Sequence, residues 1–407
     1  MKIKILWMGL FMVIMVNLNA NTIYVNPGTD LVQQAVANAS SGDVIIMTSG
    51  VHKITSSIII DKQITLKGEG WNNTFLEKHN LNLERMAAIR IQMGVNGCEL
   101  RDFDLRGRGT GGSGILVQSN QNILRYLKVH NCGSDEEKAS GLLFHDSNSN
   151  DSREIMAYLN KKVGISHFNS KGNYLKNCEA NNNDLEGLTI DCGSDNTKVE
   201  NSTFNNNCNR NGLGGGGVGG VGIDQSNGAW LESCAINNSN ENHGVTIQNN
   251  CGSTDGARIW NCTINNSGLN GIMLRNCTNP ITNMGLQGNS FSGNLGVNIE
   301  WECGNPQQNS TLNLEDNNNI SINQERVAIY PNPASQKVVF EMKGLGSFKG
   351  LEFYNINGQR LKPLIINNDN TNKPVFQIDV SSYPKGIYIY KYQGSNGNKT
   401  GKILIDK

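Results

Sequence analysis

The sequence is short of net charge and of proline. Its 35 basic and 35 acidic residues cancel, which leaves no excess of charge to attract nucleic acid or an anionic membrane. Only 8 prolines stand beside 46 glycines, and asparagine is frequent. Because glycine and asparagine favour tight turns over helices, the composition predicts a chain with many turns. The balanced charge predicts no nucleic-acid partner.

Long apolar runs are also missing beyond the first residues. Lys2 and Lys4 precede an uncharged apolar run from Ile5 to Val16, and the small residue Ala20 follows it. This is the secretory pattern, and the run is too short for a convincing transmembrane helix. Residues 1–20 are therefore predicted to be a signal peptide, and the mature chain is expected to have no transmembrane segment.

What the sequence does contain is an internal repeat. Glycine followed by alternating apolar residues begins eight segments, which lie 22 to 27 residues apart except for one interval of 35. The segments are GILVQSN at Gly114, GLLFHDS at Gly141, GISHFNS at Gly164, GLTIDCG at Gly187, GIDQSN at Gly222, GVTIQNN at Gly244, GIMLRNC at Gly271 and GVNIEWE at Gly296. The long interval contains the glycine-rich insertion from Asn209 to Gly220.

A second strand pattern lies between these glycines. It has an apolar position, then Cys or Ser, then another apolar residue and asparagines, as in WLESCAINNS from Trp230 and RIWNCTINNS from Arg258. Short strands that alternate with period two and are joined by Asn/Gly turns describe one coil of a right-handed parallel β-helix. Asn265 and Asn266 are interpreted as turn residues, and stacked turns are expected to form an asparagine ladder.

The cysteines fall into two columns of this alignment. Cys178, Ser202, Cys234, Cys262 and Ser290 share one position, and Cys192, Cys251, Cys277 and Cys303 follow the glycine-led strand. Small buried side chains explain both columns, but Cys234 with Cys262 and Cys277 with Cys303 would also be close enough for disulfides in an exported protein. No pair has the CxxC spacing of structural zinc sites, so a metal site is not predicted.

The segment from Asn21 to Gly70 leads into the coils. Asp30 is placed to cap a short amphipathic helix that would cover the open end of the solenoid. Together with GDVI, SGVH and ITLKGEG, this segment resembles the entry of pectin-lyase-like β-helix proteins. The resemblance implies a β-helix over residues 21–304; its members include polysaccharide lyases, glycoside hydrolases, uronan epimerases and proteins without known activity.

The character of the sequence changes after the polar segment 305–326, which is predicted to be a linker. Residues 327–407 contain Tyr330-Pro331-Asn332-Pro333, the turn Tyr354 to Gly358, Pro384-Lys385-Gly386-Ile387-Tyr388 and the terminal Lys402 to Ile405. These pieces closely resemble the sorting domain of the Bacteroidetes type IX secretion system. The resemblance implies a small β-sandwich, that secretion machinery as a partner, and a secreted or outer-membrane surface location.

Candidate functional residues come from the outward face of the glycine-led strands. Counting four residues from each glycine gives one outward column, and counting two gives another. The first contains Gln118, His145, Phe168, Asp191, Ser226, Gln248, Arg275 and Glu300; the second contains Leu116, Leu143, Ser166, Thr189, Asp224, Thr246, Met273 and Asn298. The central part of this face is polar, as a groove for an extended glycan requires.

Asp191 and Asp224 are the strongest catalytic candidates because they come from adjacent coils. Carboxylates within reach of each other can divide acid and base roles or bind calcium, which is therefore a candidate cofactor. His243 is a neighbouring proton-transfer candidate, and Arg275 is suited to a uronate carboxylate. The candidate substrate-binding residues are His145, Gln248, Arg275 and Glu300, and His167 is a further groove candidate. Solvated surface residues are the alternative interpretation.

Sharper family signatures are missing. Polygalacturonase-like hydrolases have Asn-Thr-Asp, Asp-Asp, Gly-His-Gly and Arg-Ile-Lys on successive coils, whereas this chain has Gly220-Val221 where the acidic pair should precede Gly222. The Tyr-Gly-Phe-Asp-Pro-His signature of alginate epimerases is also missing from the sequence. The sequence therefore predicts a secreted β-helix that engages polysaccharide. Its role is either that of a lyase or related carbohydrate-active enzyme, or that of a non-catalytic adhesion or glycan-binding protein.

Overall fold

A computed structural model describes most of the chain. The described residues are 20–79, 87–108, 111–133, 139–209, 219–240, 242–249, 254–275, 281–301, 326–330, 334–343, 348–355, 358–361, 364–369, 375–394 and 398–406. The predicted signal peptide lies outside them except for Ala20, as do nearly all of the predicted linker and Cys251, Cys277 and Cys303. Among the described residues, no helix is long and apolar enough to cross a membrane.

The fold is a right-handed parallel β-helix, followed in the chain by a small β-sandwich, as predicted. One wall of the helix is a ten-stranded parallel sheet, here called the glycine-led sheet. Its strands are Ile58–Ile60, Ile89–Ile91, Ile115–Val117, Ser140–His145, Val163–Phe168, Leu188–Asp191, Gly219–Asp224, His243–Gln248, Ile272–Arg275 and Ile299–Trp301. A two-stranded parallel sheet joins Thr254–Asp255 to Ile281–Thr282.

The remaining strands of the helix form an 18-stranded sheet, here called the bent sheet. Its strands are Thr22–Val25, Val44–Met47, Gly50–Ile54, Thr65–Gly68, Thr74–Lys78, Glu99–Arg106, Ile123–His130, Asp151–Tyr158, Tyr174–Lys176, Glu179–Asn181, Lys198–Glu200, Thr203–Asn205, Trp230–Glu232, Ala235–Asn237, Arg258–Trp260, Thr263–Asn265, Gly285–Gln287 and Ser290–Ser292. Left-handed residues bend it on successive coils, for example Asn177 with φ 53°, Asn201 with φ 49° and Asn261 with φ 53°. Asparagine tolerates this conformation better than other side chains do. Asn266, with φ 54°, is likewise the turn residue that was predicted, whereas the prediction for Asn265 is wrong because it ends the strand Thr263–Asn265.

A glycine lies directly before the first residue or at the second residue of most strands of the glycine-led sheet, because the coils approach closely there. A Cβ atom on Gly141 would lie 2.8 Å from the carbonyl oxygen of Gly164, and one on Gly164 would lie 2.7 Å from that of Gly187. Any larger residue would push neighbouring coils apart. The repeat of glycine in the sequence is therefore a packing requirement of the coil corner.

The helix core consists of inward columns of aliphatic residues that stack from coil to coil. Leu142, Ile165, Leu188, Val221 and Val245 form one such column and are fully buried. Because every coil leaves apolar edges that only its neighbours can cover, stability depends on stacking.

The N-terminal helix Leu31–Asn38 buries Val32 and Val36 against this core. It confirms the predicted capping helix, but the predicted side-chain cap is wrong. The carboxylate of Asp30 makes no hydrogen bond to the helix; it accepts the backbone N–H of Thr55 at 2.7 Å and also the Thr55 hydroxyl.

Asparagine ladders run through the buried corners of the coils, as the sequence predicts. In one ladder, Asn160 Nδ2 donates to Asn183 Oδ1 at 3.0 Å, and Asn183 Nδ2 donates to Asn207 Oδ1 at 3.0 Å. A second ladder joins Asn122, Asn150 and Asn173 in the same way. These amides satisfy backbone groups that the corners remove from the sheet ladders.

The first cysteine column is confirmed in part. The backbone N–H of Cys178 donates to Ser202 Oγ at 3.0 Å, and that of Cys234 lies 3.5 Å from Cys262 Sγ. Cys234 and Cys262 are buried neighbours and are thiols here, so their disulfide stays a prediction. Ser290 does not belong to the column, because Asn289 is the residue that accepts the Cys262 N–H, at 2.9 Å.

His167 lies in the core, so its predicted place in the groove is wrong. Its side chain is fully buried and stacks on Phe144 with ring centroids 4.7 Å apart. Neither ring nitrogen makes a well-directed hydrogen bond to a described residue. Burial lowers the pKa of His167 to about 4, and a weak contact with the Thr189 backbone opposes this shift.

We expect His167→Phe to stabilise the fold, most strongly in acid. The unfolded histidine takes up a proton below its ordinary pKa of 6.5, whereas the folded one resists protonation down to about 4. Relative to the variant, the wild-type chain should therefore lose up to about 3 kcal/mol of unfolding free energy as pH falls through this window. Urea unfolding between pH 4 and 7 measures the difference, with the half-exposed His145→Phe as the control. An unchanged pH slope would show that internal water satisfies the buried ring.

The C-terminal strands form two antiparallel sheets of four strands each. The first contains Arg326–Tyr330, Lys337–Lys343, Leu364–Asp369 and Val375–Asp379; the second contains Phe348–Asn355, Arg360–Leu361, Gly386–Gly394 and Asn398–Ile405. Phe340 of the first sheet packs edge to face on Phe353 and Tyr390 of the second, at centroid distances of 5.7 and 5.3 Å. The shared core of the two sheets makes this unit a β-sandwich.

Candidate functional site

Four polar side chains form a continuous outward column on the glycine-led sheet. Asp191 is paired in register with Asp224, Asp224 with Gln248, and Gln248 with Arg275. Neighbouring strands place such residues roughly 4.8 Å apart. Gln248 Nε2 donates to Asp224 Oδ2 at 3.0 Å. The structure thus brings together four of the candidate residues that were predicted from the sequence.

The register of Asp224 differs from the one predicted. Gly220, and not Gly222, stands opposite Gly187, because the N–H of Gly187 donates to the carbonyl of Gly220 at 2.8 Å. Asp224 therefore lies four residues after the leading glycine, beside Asp191. Ser226 leaves the outward column: it is fully buried, and its Oγ accepts the N–H of Ser194 at 3.1 Å.

Glu300 was also placed in the wrong column. It pairs in register with Met273, two residues before the position of Arg275, because Asn298 and not Gly296 stands opposite Gly271. Its carboxylate accepts a hydrogen bond from Asn270 Nδ2. Glu300 therefore lies at the end of the second outward column and does not continue the column of Arg275.

His145 lies in the first outward column, two coils before Asp191. It pairs with Phe168 and stacks on that ring at a centroid distance of 5.2 Å. Its Nδ1 is 3.5 Å from the carboxylate of Asp146. Phe168 separates it from Asp191, so His145 is suited to contact a long ligand but not the reacting group at the aspartate pair.

His243 pairs with Gly219 and is almost fully buried. Its Nδ1 accepts the backbone N–H of Asn270 at 3.2 Å. Because a backbone N–H can only donate, this hydrogen bond favours the neutral ring with its proton on Nε2. The neutral ring of His243 can therefore act as a hydrogen-bond donor through Nε2.

Glu186 is a functional candidate that the sequence interpretation missed. Its Cγ and Oε1 lie 3.9 Å from the point that a Cβ atom on Gly222 would occupy, so the carboxyl group covers the glycine on the next coil. No ion pair to Glu186 occurs among the described residues. The side chain is only partly exposed, and burial raises its pKa to about 7.

Two glycines stand beside this carboxyl group. Gly219 stands between Glu186 and His243 in the register, and Gly222 stands between Thr189 and Thr246. Both threonines point outward yet are at least 95 % buried, so neighbouring residues cover this part of the face. Glu186 and His243 thus stand on either side of Gly219 in the register, at a position that carries no side chain of its own.

The arrangement can perform acid–base chemistry on a ligand in the groove. A carboxyl group with a pKa near 7 is populated in both forms at neutral pH and can give or take a proton. Gly222, which Glu186 covers, is two residues from Asp224 on the same face, or roughly 7 Å along the strand. Among the residues that the structure describes, no cluster of three or more His, Cys, Asp or Glu side chains is arranged to hold a metal ion.

Comparison with known proteins supports the two-part organisation. Residues 328–406 match the family described as the secretion system C-terminal sorting domain. The enzymatically active domain of tailspike protein 2 from bacteriophage CBA120 is a similar solved structure, with TM-score 0.54 and 14% identity, and the match covers 96% of this chain and 71% of that one.

Two further structures share the fold. The product of open reading frame 18 of Geobacillus virus E2 matches with TM-score 0.52 and 13% identity over 95% of this chain and 77% of that one. A mannuronan C-5 epimerase A-module from Azotobacter vinelandii matches with TM-score 0.50 and 15% identity over 70% of this chain and 94% of that one. Comparison with curated protein sequences gave no match. The chain thus contains a right-handed parallel β-helix followed by residues that match a secretion sorting domain, which indicates a secreted or cell-surface protein of a Bacteroidetes-type bacterium.

Proposed function

We propose that the outer face of the glycine-led sheet binds an extended polysaccharide and hydrolyses its glycosidic bonds. The observation that carries the proposal is the position of Glu186 over Gly222, beside the paired carboxylates of Asp191 and Asp224. Polysaccharide is the substrate class because the groove runs across coils and because two of the similar β-helix structures are an enzymatically active tailspike domain and a mannuronan epimerase module.

The roles follow from the environment of each carboxyl group. Glu186 is desolvated and keeps its proton near neutral pH, so it acts as the general acid on the glycosidic oxygen. Asp224 is partly exposed and accepts a hydrogen bond from Gln248, so it acts as the base that activates water, with Asp191 beside it. Gly222 and Asp224 lie roughly 7 Å apart along the strand; we infer a similar distance between the Glu186 and Asp224 carboxyl groups, which suits inversion, in which a water molecule stands between the base and the sugar.

Other groups of the column position the glycan. Arg275 follows Gln248 in register and places a cation where a sugar carboxylate would lie. His243 lies beside Gly219 and can donate a hydrogen bond from Nε2. His145 and Phe168 extend the same face by two coils towards the N-terminus.

A screen of the purified chain tests this function. The substrates are pectin, alginate, glycosaminoglycans and neutral glycans, with and without calcium, and both reducing ends and the ultraviolet absorbance of unsaturated sugars are followed. New reducing ends without that absorbance are expected. Absorbance would mean β-elimination and would contradict hydrolysis, whereas binding without any product would favour a non-catalytic glycan-binding role.

On the substrate so identified, Asp224→Asn is expected to lower kcat by about 100-fold or more, since it removes the base. Asp61→Asn, at a half-exposed carboxylate near the N-terminus, is the matched control and should keep full activity. An Asp224→Asn variant that folds normally and retains full turnover would contradict the assignment.

A further inference from the structure

The bent sheet presents an indole platform on a face of the helix other than the groove. Trp260 points outward from the strand Arg258–Trp260 and is partly exposed. The same row on the other coils contains Lys176, Glu200, Glu232 and Gln287, so a large aromatic residue is exceptional there. No inward packing role explains it, because the inward residue of this strand is Ile259.

A glycine on the next coil lets this indole extend across the sheet. Gly285 pairs with Arg258, and a Cβ atom on Gly285 would lie 2.8 Å from Trp260 Nε1 and 3.5 Å from Trp260 Cε2. The indole therefore covers the backbone of Gly285. Any other residue at position 285 would displace the ring from this position.

Trp230 and Arg258 stand beside the platform. The two indoles meet edge to face, with centroids 5.1 Å apart and an interplanar angle of 73°. The Arg258 guanidinium carbon lies 5.5 Å from the Trp230 centroid and 5.6 Å from the Trp260 centroid. Arg258 is exposed, and no carboxylate among the described residues pairs with it.

The neighbouring cation behaves differently. Lys198 lies 4.0 Å from the Trp230 centroid and is paired with the carboxylates of Glu200 and Glu232. Its charge is therefore already neutralised within the protein. Arg258 is the cation of this cluster whose charge remains available to a ligand.

We propose that Trp260, Trp230 and Arg258 form a second, non-catalytic binding site for an acidic polysaccharide. The apolar face of a sugar ring stacks on an indole, and the planar guanidinium pairs with a carboxylate or sulfate of the same or the next sugar. Trp260 is the indole that stacks on the sugar, and Trp230, which lies one coil before it and two residues back along the strand, packs against it edge to face. The site lies on a different sheet from Glu186 and does not depend on the proposed hydrolysis.

The test uses the full chain with Glu186→Gln as the background, so that no substrate is consumed. Affinity electrophoresis in gels that contain alginate, polygalacturonate or neutral dextran gives a dissociation constant for each glycan. Trp260→Ala is expected to weaken binding to the acidic glycans ~10-fold. Arg258→Gln should remove the preference for acidic glycans and its dependence on salt.

Trp71→Ala is the matched control. Trp71 also lies beside a lysine, Lys128, and an aromatic ring, Tyr126, of the bent sheet, but it is far from Trp260 in the sequence. Equal binding by wild type, Trp260→Ala and Arg258→Gln would overturn the proposal, and Arg258→Gln decides the matter if Trp260→Ala fails to fold. With Glu186 restored, Trp260→Ala should cleave short soluble oligosaccharides at the wild-type rate. Absence of cleavage by the wild type would reject the proposed hydrolysis and leave this binding result standing.

Discussion

Replacing Glu186 with glutamine is expected to lower polysaccharide turnover at pH 7 by about 100- to 1000-fold, since the amide cannot supply the proton that the leaving oxygen needs. The side chain keeps its size and its position over Gly222, so binding should change little. The pH profile is the sharper measurement. Wild-type activity should decline above the Glu186 pKa of about 7, and the residual activity of the variant should lose that limb.

The same substitution has a readout that needs no substrate. The unfolded chain ionises Glu186 above its ordinary pKa of 4.5, whereas the folded chain holds the proton up to about 7. The contribution of Glu186 to the free energy of unfolding should therefore fall as pH rises through this window, by about 2 kcal/mol once partial solvent exposure is taken into account. Glu186→Gln should remove that fall.

Glu179→Gln is the control for both experiments, because Glu179 is exposed on the bent sheet. It should leave turnover and the pH dependence of unfolding as they are in the wild type. If Glu186→Gln kept full turnover, Glu186 would not be the acid. If Glu186→Gln also kept the wild-type pH dependence of stability, the carboxyl group of Glu186 would be exposed to solvent in the folded chain.

Glu186 and His167 oppose each other in the acid range. Burial penalises the charged form of each, so the folded chain keeps Glu186 protonated and His167 neutral. Stability contributed by His167 is lost as pH falls from 6.5, whereas stability contributed by Glu186 is lost as pH rises from 4.5. A wild-type profile that is nearly flat between these values would hide both effects, and only the single variants separate them.

The alternation of the strands was sufficient to place Asp191, Asp224, Gln248 and Arg275 on the outward face, but not to assign Asp224 and Glu300 to the right column. Side chains alternate with period two, so an error of two residues leaves an outward residue outward and moves it to another row. Asp224 and Glu300 were displaced in this way. In both coils more than one residue fits the leading position: Gly219, Gly220 and Gly222 compete in one, and Gly296 competes with Asn298 in the other.

Glu186 could not be recognised from local sequence because its properties arise on the next coil. Burial raises its pKa, and the backbone that it lies over is Gly222, which is 36 residues away in the chain. The outward position of Asp191 can be predicted from the local sequence because Asp191 ends a regular strand. The one local signal for Glu186 is its position directly before Gly187, the position that His243 occupies relative to Gly244.

The largest expected loss of stability comes from Asn183→Ala, in the middle of a buried ladder. Asn183 Oδ1 accepts both the backbone N–H and the side-chain Nδ2 of Asn160, at 3.1 and 3.0 Å. Its own Nδ2 donates to Asn207 Oδ1 at 3.0 Å and to the carbonyl of Ala157 at 3.1 Å. Alanine would leave two donors and a carbonyl without partners where water does not reach, so we expect a cost of about 3–5 kcal/mol in urea unfolding.

The adjacent Asn182 provides the matched control. It is exposed and has a left-handed backbone with φ 57°, so Asn182→Gly should change stability by less than about 0.5 kcal/mol. A difference of several kcal/mol between neighbouring asparagines would show that the ladder, and not asparagine content, stabilises the coils. A small effect at Asn183 would mean that the corner admits water, and the coil stack would then depend on its aliphatic columns alone.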